Sequence, residues 1–198
     1  VAAVVVAAAC IRLGIWQLDR LAQRRERSAA LAARLALPPI EIRSGTLAPD
    51  SVRQRRVTLR GAYDYEREFV WPARVFEGTP GVSLITPLRL PDGTSVFVDR
   101  GWVPSADAFH VDRTRYREGD SAVVEGVALI PPRGRGDVHA PFVAQQEQPL
   151  AAHGLPRRWP RPALDNGPHL SYAIQWFSFA LIALVGTAVL LRRSRAAE

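Results

Sequence analysis

The sequence predicts a membrane α+β protein: two transmembrane helices form a hairpin and flank a mainly antiparallel β domain outside the membrane. Three observations carry this. The 198-residue chain has an apolar run at each end, VAAVVVAAACI and AIQWFSFALIALVGTAVLL. Between them lie short β-branched or aromatic segments separated by Gly, Pro and Asp. All 26 basic residues are arginine, and many sit beside the apolar ends, as Arg12, Arg20, Arg24, Arg25 and Arg27 do at one end and Arg192, Arg193 and Arg195 at the other.

The first run is expected to be the visible part of a first transmembrane helix over residues 1–18, trimmed on its N-terminal side, since the chain opens on valine rather than methionine. A cleaved signal peptide is the competing reading. The AAAC around Cys10 also has the shape of a lipoprotein cleavage site, with alanine rather than leucine three places upstream; a small packing residue in a helix is the plainer account. Residues 19–37 continue as a helical extension rich in good helix formers and stopped by Pro38 and Pro39. Periodicity then changes. RRVTLRGAYDY, REFVWPARV, GVSLITPLRL, TSVFVDRGWVP and AVVEGVALIP make an antiparallel β domain over 38–130, with Pro91-Asp92-Gly93 as a hairpin turn. Residues 131–168 hold half of the sixteen prolines and show no periodicity, which predicts an extended connection back to the membrane. The second transmembrane helix is placed at 169–191: the nineteen uncharged residues from Ala173 to Leu191 span roughly 28 Å, close to the hydrocarbon thickness. A basic tail, 192–198, follows and predicts a cytoplasmic C-terminus, with the central domain on the outer face of a bacterial plasma membrane.

A net charge of +7 placed at membrane flanks suits phosphate headgroups, hence a lipid bilayer as partner and no nucleic acid. One cysteine and no methionine exclude a thiolate or thioether copper carrier and an internal disulfide. No Gly-x-Ser-x-Gly turn, phosphate-binding loop or paired-histidine zinc spacing is present, so no enzyme is expected; His110, His139 and His153 stand singly, and Gly134 and Gly136 precede neither lysine nor helix. In Asp99-Arg100-Gly101-Trp102, Gly101 indicates a bulge or a close backbone approach. Arg100 there reads either as an internal ion pair or as a holder of a partner's carboxylate.

Chemistry concentrates in NGPHLSYAIQWF, residues 166–177. With Asp165 or Asn166 as N-cap and Pro168 in the first turn, His169, Tyr172 and Trp176 fall on one helical face, with Gln175 beside them. The positive end of the helix dipole disfavours an imidazolium there and leaves a lone pair for a metal, as an axial haem ligand requires. In the first span Arg12, Trp16 and Arg20 repeat every four residues, with Gln17 and Asp19 adjoining. In a hairpin they reach about the depth of His169 and Tyr172. They would supply a cation for carboxylates and an aromatic wall, or else form an interfacial belt with a snorkelling arginine.

LGIWQLDR, RRVTLRGAYDYERE, GVSLITPL, VFVDRGWVP and NGPHLSYAIQWF, in this order along nearly the whole chain, resemble the surfeit locus protein one family, also called Shy-one. The resemblance implies a two-span membrane chaperone of the respiratory chain that helps cytochrome c oxidase assembly. It implies haem a as a transient cofactor, delivered to the catalytic subunit of the oxidase among other oxidase and haem-delivery proteins. The family's haem-ligating histidine falls on His169, its first-span tryptophan on Trp16, and its outer-domain arginine-glycine on Arg100 and Gly101. Two positions depart from the pattern: Asp99 stands where asparagine is usual, and Pro168 directly precedes the histidine. The expected haem site therefore comprises His169 on the iron, Arg12 and Arg20 near the propionates, and Trp16, Tyr172 and Trp176 as walls. An accessory subunit docked on the oxidase without binding haem is the alternative.

Overall fold

The computed structural model describes residues 2–131, 141–162, 164 and 167–196, which fall into two compact units: the two chain ends, 1–32 with 163–198, and the segment 33–162 between them. Two long helices make up the first. Helix α1 runs over Ala2–Ala36 and a C-terminal helix, α3, over His169–Ala196. Both are long and apolar enough to cross a membrane. Their side chains confirm the kind of solvent they need: Val4 and Val5 on α1, and Leu181, Ile182 and Leu190 on α3, are all more than 60% exposed. Water would make that surface costly, whereas hydrocarbon does not. The protein is a two-span membrane protein.

The helices are antiparallel and pack along a narrow seam. Buried Ala7, Cys10, Gly14 and Leu21 follow one another on α1 at steps of three, four and seven, and Gln17, partly buried, fills the gap. On α3 the matching set is His169, Ala173, Trp176, Ala180 and Ala183, again at alternating steps of four and three. Alternating steps of three and four keep a seam on one side of a helix, and small residues let two backbones approach where lipid gives no hydrophobic drive. A Cβ on Gly14 would lie 2.7 Å from the Phe177 ring, so any larger residue would have to swing that ring aside.

The second unit carries a single seven-stranded sheet, ordered β1-β2-β6-β7-β5-β4-β3. Its strands are β1 (Ile40–Ile42), β2 (Arg56–Tyr63), β3 (Phe69–Phe76), β4 (Thr79–Arg89), β5 (Ser95–Pro104), β6 (Ser121–Leu129) and β7 (Val143–Gln148). A further pairing of Ala62 and Tyr63 with Arg89 and Leu88 returns β4 to β2, so five strands close a small barrel with β1 and β3 added outside. Most pairings are antiparallel; β1 with β2 and β5 with β7 are parallel. Ile42, Val57, Leu59, Leu88, Val98, Val124 and Phe142 fill the core. The Pro91-Asp92-Gly93 turn forms as expected: Gly93 takes φ 83°, and the Asp92 carboxylate accepts from the Thr94 amide at 3.0 Å and its hydroxyl at 2.6 Å.

One expectation is corrected. The stretch 131–168, read as a connection, contains β7, which bridges β5 and β6 inside the barrel. Its sequence VAQQEQ hides the strand because the buried side chains Gln145 and Gln146 are polar. Their partners explain the burial: Gln146 accepts from the Tyr63 hydroxyl at 2.9 Å and donates to the Pro149 carbonyl at 3.2 Å, while Gln145 donates to the Pro160 carbonyl at 3.0 Å.

Candidate functional site

Helix α3 begins at His169 with Pro168 just ahead of it, and the Pro168 carbonyl accepts from the Tyr172 amide at 3.2 Å and the Ser171 hydroxyl at 2.8 Å. A proline at a helix start removes an N–H that would have no partner there anyway. The N-cap positions Asp165 and Asn166 lie outside the described residues. Across the seam, His169 Nδ1 stands 2.8 Å from Gln17 Oε1. A carbonyl oxygen only accepts, so Nδ1 is the donor in this contact, and in the neutral ring Nε2 is then the nitrogen with the lone pair. This is how proteins orient a histidine that ligates a metal: a second group holds one ring nitrogen and presents the other.

Gly167 completes the arrangement. Its φ of +65° strains any L side chain, and a Cβ there would stand 3.4 Å from His169 Nε2 and 3.3 Å from Cδ2. Glycine therefore leaves the free nitrogen uncrowded. The residues present fit a metal centre that needs one neutral imidazole from the protein, as haem iron does. Among the described residues no group of three His, Cys, Asp or Glu side chains could hold a bare metal ion.

The other expected site residues are brought together only in part. Trp176 lies on the seam beside Cys10 and Ala180 and meets Phe179 edge-on, with ring centroids 6.0 Å apart. Tyr172 is 45% exposed and lies off the seam, so the single stripe expected of His169, Tyr172 and Trp176 splits. On α1 the residue facing His169 is Gln17, not Trp16, which is 44% exposed. Arg20, one turn beyond Gln17, stacks on Trp16 with its guanidinium 5.5 Å from the ring centroid and donates to Gln23 at 3.1 Å. Arg12 is exposed and stands five residues before Gln17, roughly 140° around the helix from it. The structure does not bring Arg12 to His169. Gln17 and Gly167 are the two site residues that pattern reading passed over; the three-and-four spacing through Ala7, Cys10, Gly14, Gln17 and Leu21 was the available signal.

In the β unit Arg100 resolves to the internal ion pair. It is fully buried, with Nη2 at 2.5 Å from Glu68, Nη1 at 3.0 Å from Glu118 and 2.6 Å from the Tyr116 carbonyl, and Nε at 2.7 Å from the Thr86 hydroxyl. Arg158 joins from outside the strands, at 2.5 Å from Glu118, and donates to the Arg100 carbonyl. Arg100 is also the extra residue of a bulge: Gly101 faces Leu84 while Asp99 faces Ile85. Both expectations for Gly101 hold, because its φ is +121° and a Cβ would lie 2.3 Å from the Arg157 carbonyl oxygen. Trp102 is core. Next to them the buried Asp99 carboxyl is pushed up to about 6 by desolvation, against the Gly101 amide, Arg74 and Ser83, which lower it.

The family model for SURF1 matches residues 4–181, which takes in nearly all of α1, the whole sheet and the first part of α3. The chain belongs to the SURF1 family. It is 28% identical to an uncharacterised SURF1-like protein of Mycobacterium bovis, over 88% of this chain and 74% of the relative. A SURF1-like protein of Monosiga brevicollis is 26% identical over 91% and 83% of the two chains. Surfeit locus protein 1 of Takifugu rubripes is 27% identical over 68% and 61%. SURF1 proteins are known generally as cytochrome oxidase assembly factors, and the described architecture, two apolar helices bracketing a barrel-like sheet, is that of this SURF1 member.

Proposed function

We propose that this SURF1 member binds haem a at His169 and hands it to the catalytic subunit of cytochrome c oxidase. The observation that carries the reading is the Gln17–His169 contact at 2.8 Å, which fixes the ring and leaves Nε2 free beside Gly167. When bound, haem would supply an iron that takes an imidazole nitrogen from the protein. The chain's own residues do the rest. Gln17 orients the imidazole, Gly167 keeps its face open, Trp176 forms an apolar wall, and Arg20 is the nearest cation for propionates. Tyr172 and Trp16 border the same level of the bilayer. A single protein ligand suits a carrier, which must release its cargo, better than a permanent cytochrome, which commonly has two. The protein acts as a chaperone in the respiratory chain rather than as a catalyst. Arg192, Arg193 and Arg195 favour a cytoplasmic C-terminus, which puts the barrel on the outer face of the plasma membrane.

The test is the absorption spectrum of the full chain purified from cells that make haem a. Wild-type protein is expected to carry haem and His169→Ala protein to lose at least about tenfold of it, a difference of roughly 1.4 kcal/mol in binding. Equal haem in both proteins would refute the assignment and favour an accessory subunit that docks on the oxidase without haem.

A further inference from the structure

Helix α1 has a second face that the α3 seam leaves bare. At 3.6 residues per turn, Arg12, Trp16, Arg20, Arg24 and Arg27 fall within roughly 120° of one another. All five are exposed, and the seam residues Ala7, Cys10, Gly14 and Leu21 lie on another side. Only Asp19 and Glu26 carry negative charge between residues 12 and 36. Among the described residues, neither pairs with any of these arginines.

Depth matches charge. The apolar run ends at Leu18. The headgroup layer beyond it is about 5–8 Å thick; at about 1.5 Å per residue Arg20, roughly 3 Å past Leu18, lies within it, while Arg24 and Arg27, roughly 9 and 14 Å past, lie beyond it with side chains that lean toward the helix N-terminus and so back toward the bilayer. Arg12 lies about 9 Å below it, within the reach of a side chain that snorkels upward. A cation at that depth on an outward face needs a phosphate or a carboxylate above it. Trp16, under the Arg20 guanidinium, supplies an aromatic anchor at the boundary.

We propose that this face of α1 is a binding site for anionic phospholipid headgroups, held by Arg12, Arg24 and Arg27 around the Trp16–Arg20 pair. Guanidinium groups bind phosphate oxygens through paired N–H donors, and the two acids, Asp19 and Glu26, stand at the edge of the face, roughly 20° and 40° beyond Arg12 around the helix. The site faces away from the seam residues of α1, shares only the Trp16–Arg20 pair with the proposed haem site, and needs no haem.

The full chain is reconstituted in bilayers of mixed phosphatidylglycerol and phosphatidylcholine, and the lipids that remain bound after detergent extraction are counted by native mass spectrometry. Wild-type protein is expected to retain phosphatidylglycerol preferentially. Each arginine near an anionic surface strengthens attraction by roughly fivefold, so Arg12→Gln/Arg24→Gln/Arg27→Gln should lose at least about tenfold of the preference. Arg24→Gln/Arg27→Gln, which leaves the apolar run untouched, guards against misfolding and should lose about fivefold or more. Inorganic phosphate in the buffer should displace nothing. The proposal is overturned by an unchanged preference in both variants, by displacement with free phosphate, by an acidic protein helix retained in place of lipid, or by a preference that vanishes wholly in Arg192→Gln/Arg193→Gln/Arg195→Gln. Haem content stays at the wild-type level if the proposal holds, because Arg20, Gln17 and His169 are kept.

Discussion

Asp99 and Arg100 are neighbours in β5 and are buried for opposite reasons. Arg100 has a full set of acceptors, so its removal strands Glu68, whose side chain is 1% exposed. Arg100→Ala is expected to cost about 3–5 kcal/mol, seen as a lower denaturant midpoint for the full chain in detergent, whereas Arg100→Leu with Glu68→Leu should recover much of that. Asp99 accepts from the Gly101 amide at 3.0 Å and the Ser83 hydroxyl at 3.4 Å, but desolvation outweighs them. Its carboxyl titrates near 6 in the fold against 3.8 for the free group. A folded value above the unfolded one means the native state holds the proton more tightly, so the contribution is fully present below about 3.8 and is lost as pH rises through 6. Asp99→Asn should therefore stabilise the barrel at pH 8 by about 1–3 kcal/mol and flatten the pH slope between 4 and 6.5. Equal midpoints for the two proteins across that range would contradict the burial argument.

Elements announced themselves unequally. The uncharged run from Ala173 to Leu191 and the helix formers after Leu18 made α3 and α1 readable, because length and composition alone specify a span. GVSLITPL read as a strand, and its uncharged, largely apolar character reflects burial of both faces of β4 from Gly81 to Leu88. β7 stayed hidden because its buried glutamines, on opposite faces of the strand, are satisfied by Tyr63 and by the Pro149 and Pro160 carbonyls. At the site, His169 was legible from its place at a helix start, but its facing residue was not. Period four picked out Arg12, Trp16 and Arg20, while the seam follows alternating three and four through Gln17. Gly14→Leu tests the seam as a whole: the added side chain must displace Phe177, and the expected outcome is a loosened helix pair, read as faster proteolysis of the reconstituted chain.

At the scale of the whole molecule, the helix pair and the barrel hold different kinds of polar group. The barrel buries Arg100 against Glu68 and Glu118, whereas the helix pair holds His169 by one ring nitrogen through Gln17. On the proposed function, that division gives haem binding to the helices. The most direct test of the central claim is imidazole rescue of His169→Gly protein purified from haem-a-producing cells, followed by absorption spectroscopy. Loss of the haem spectrum in the variant and its return on adding free imidazole are expected; a wild-type spectrum without imidazole would contradict the assignment of His169 as the iron ligand.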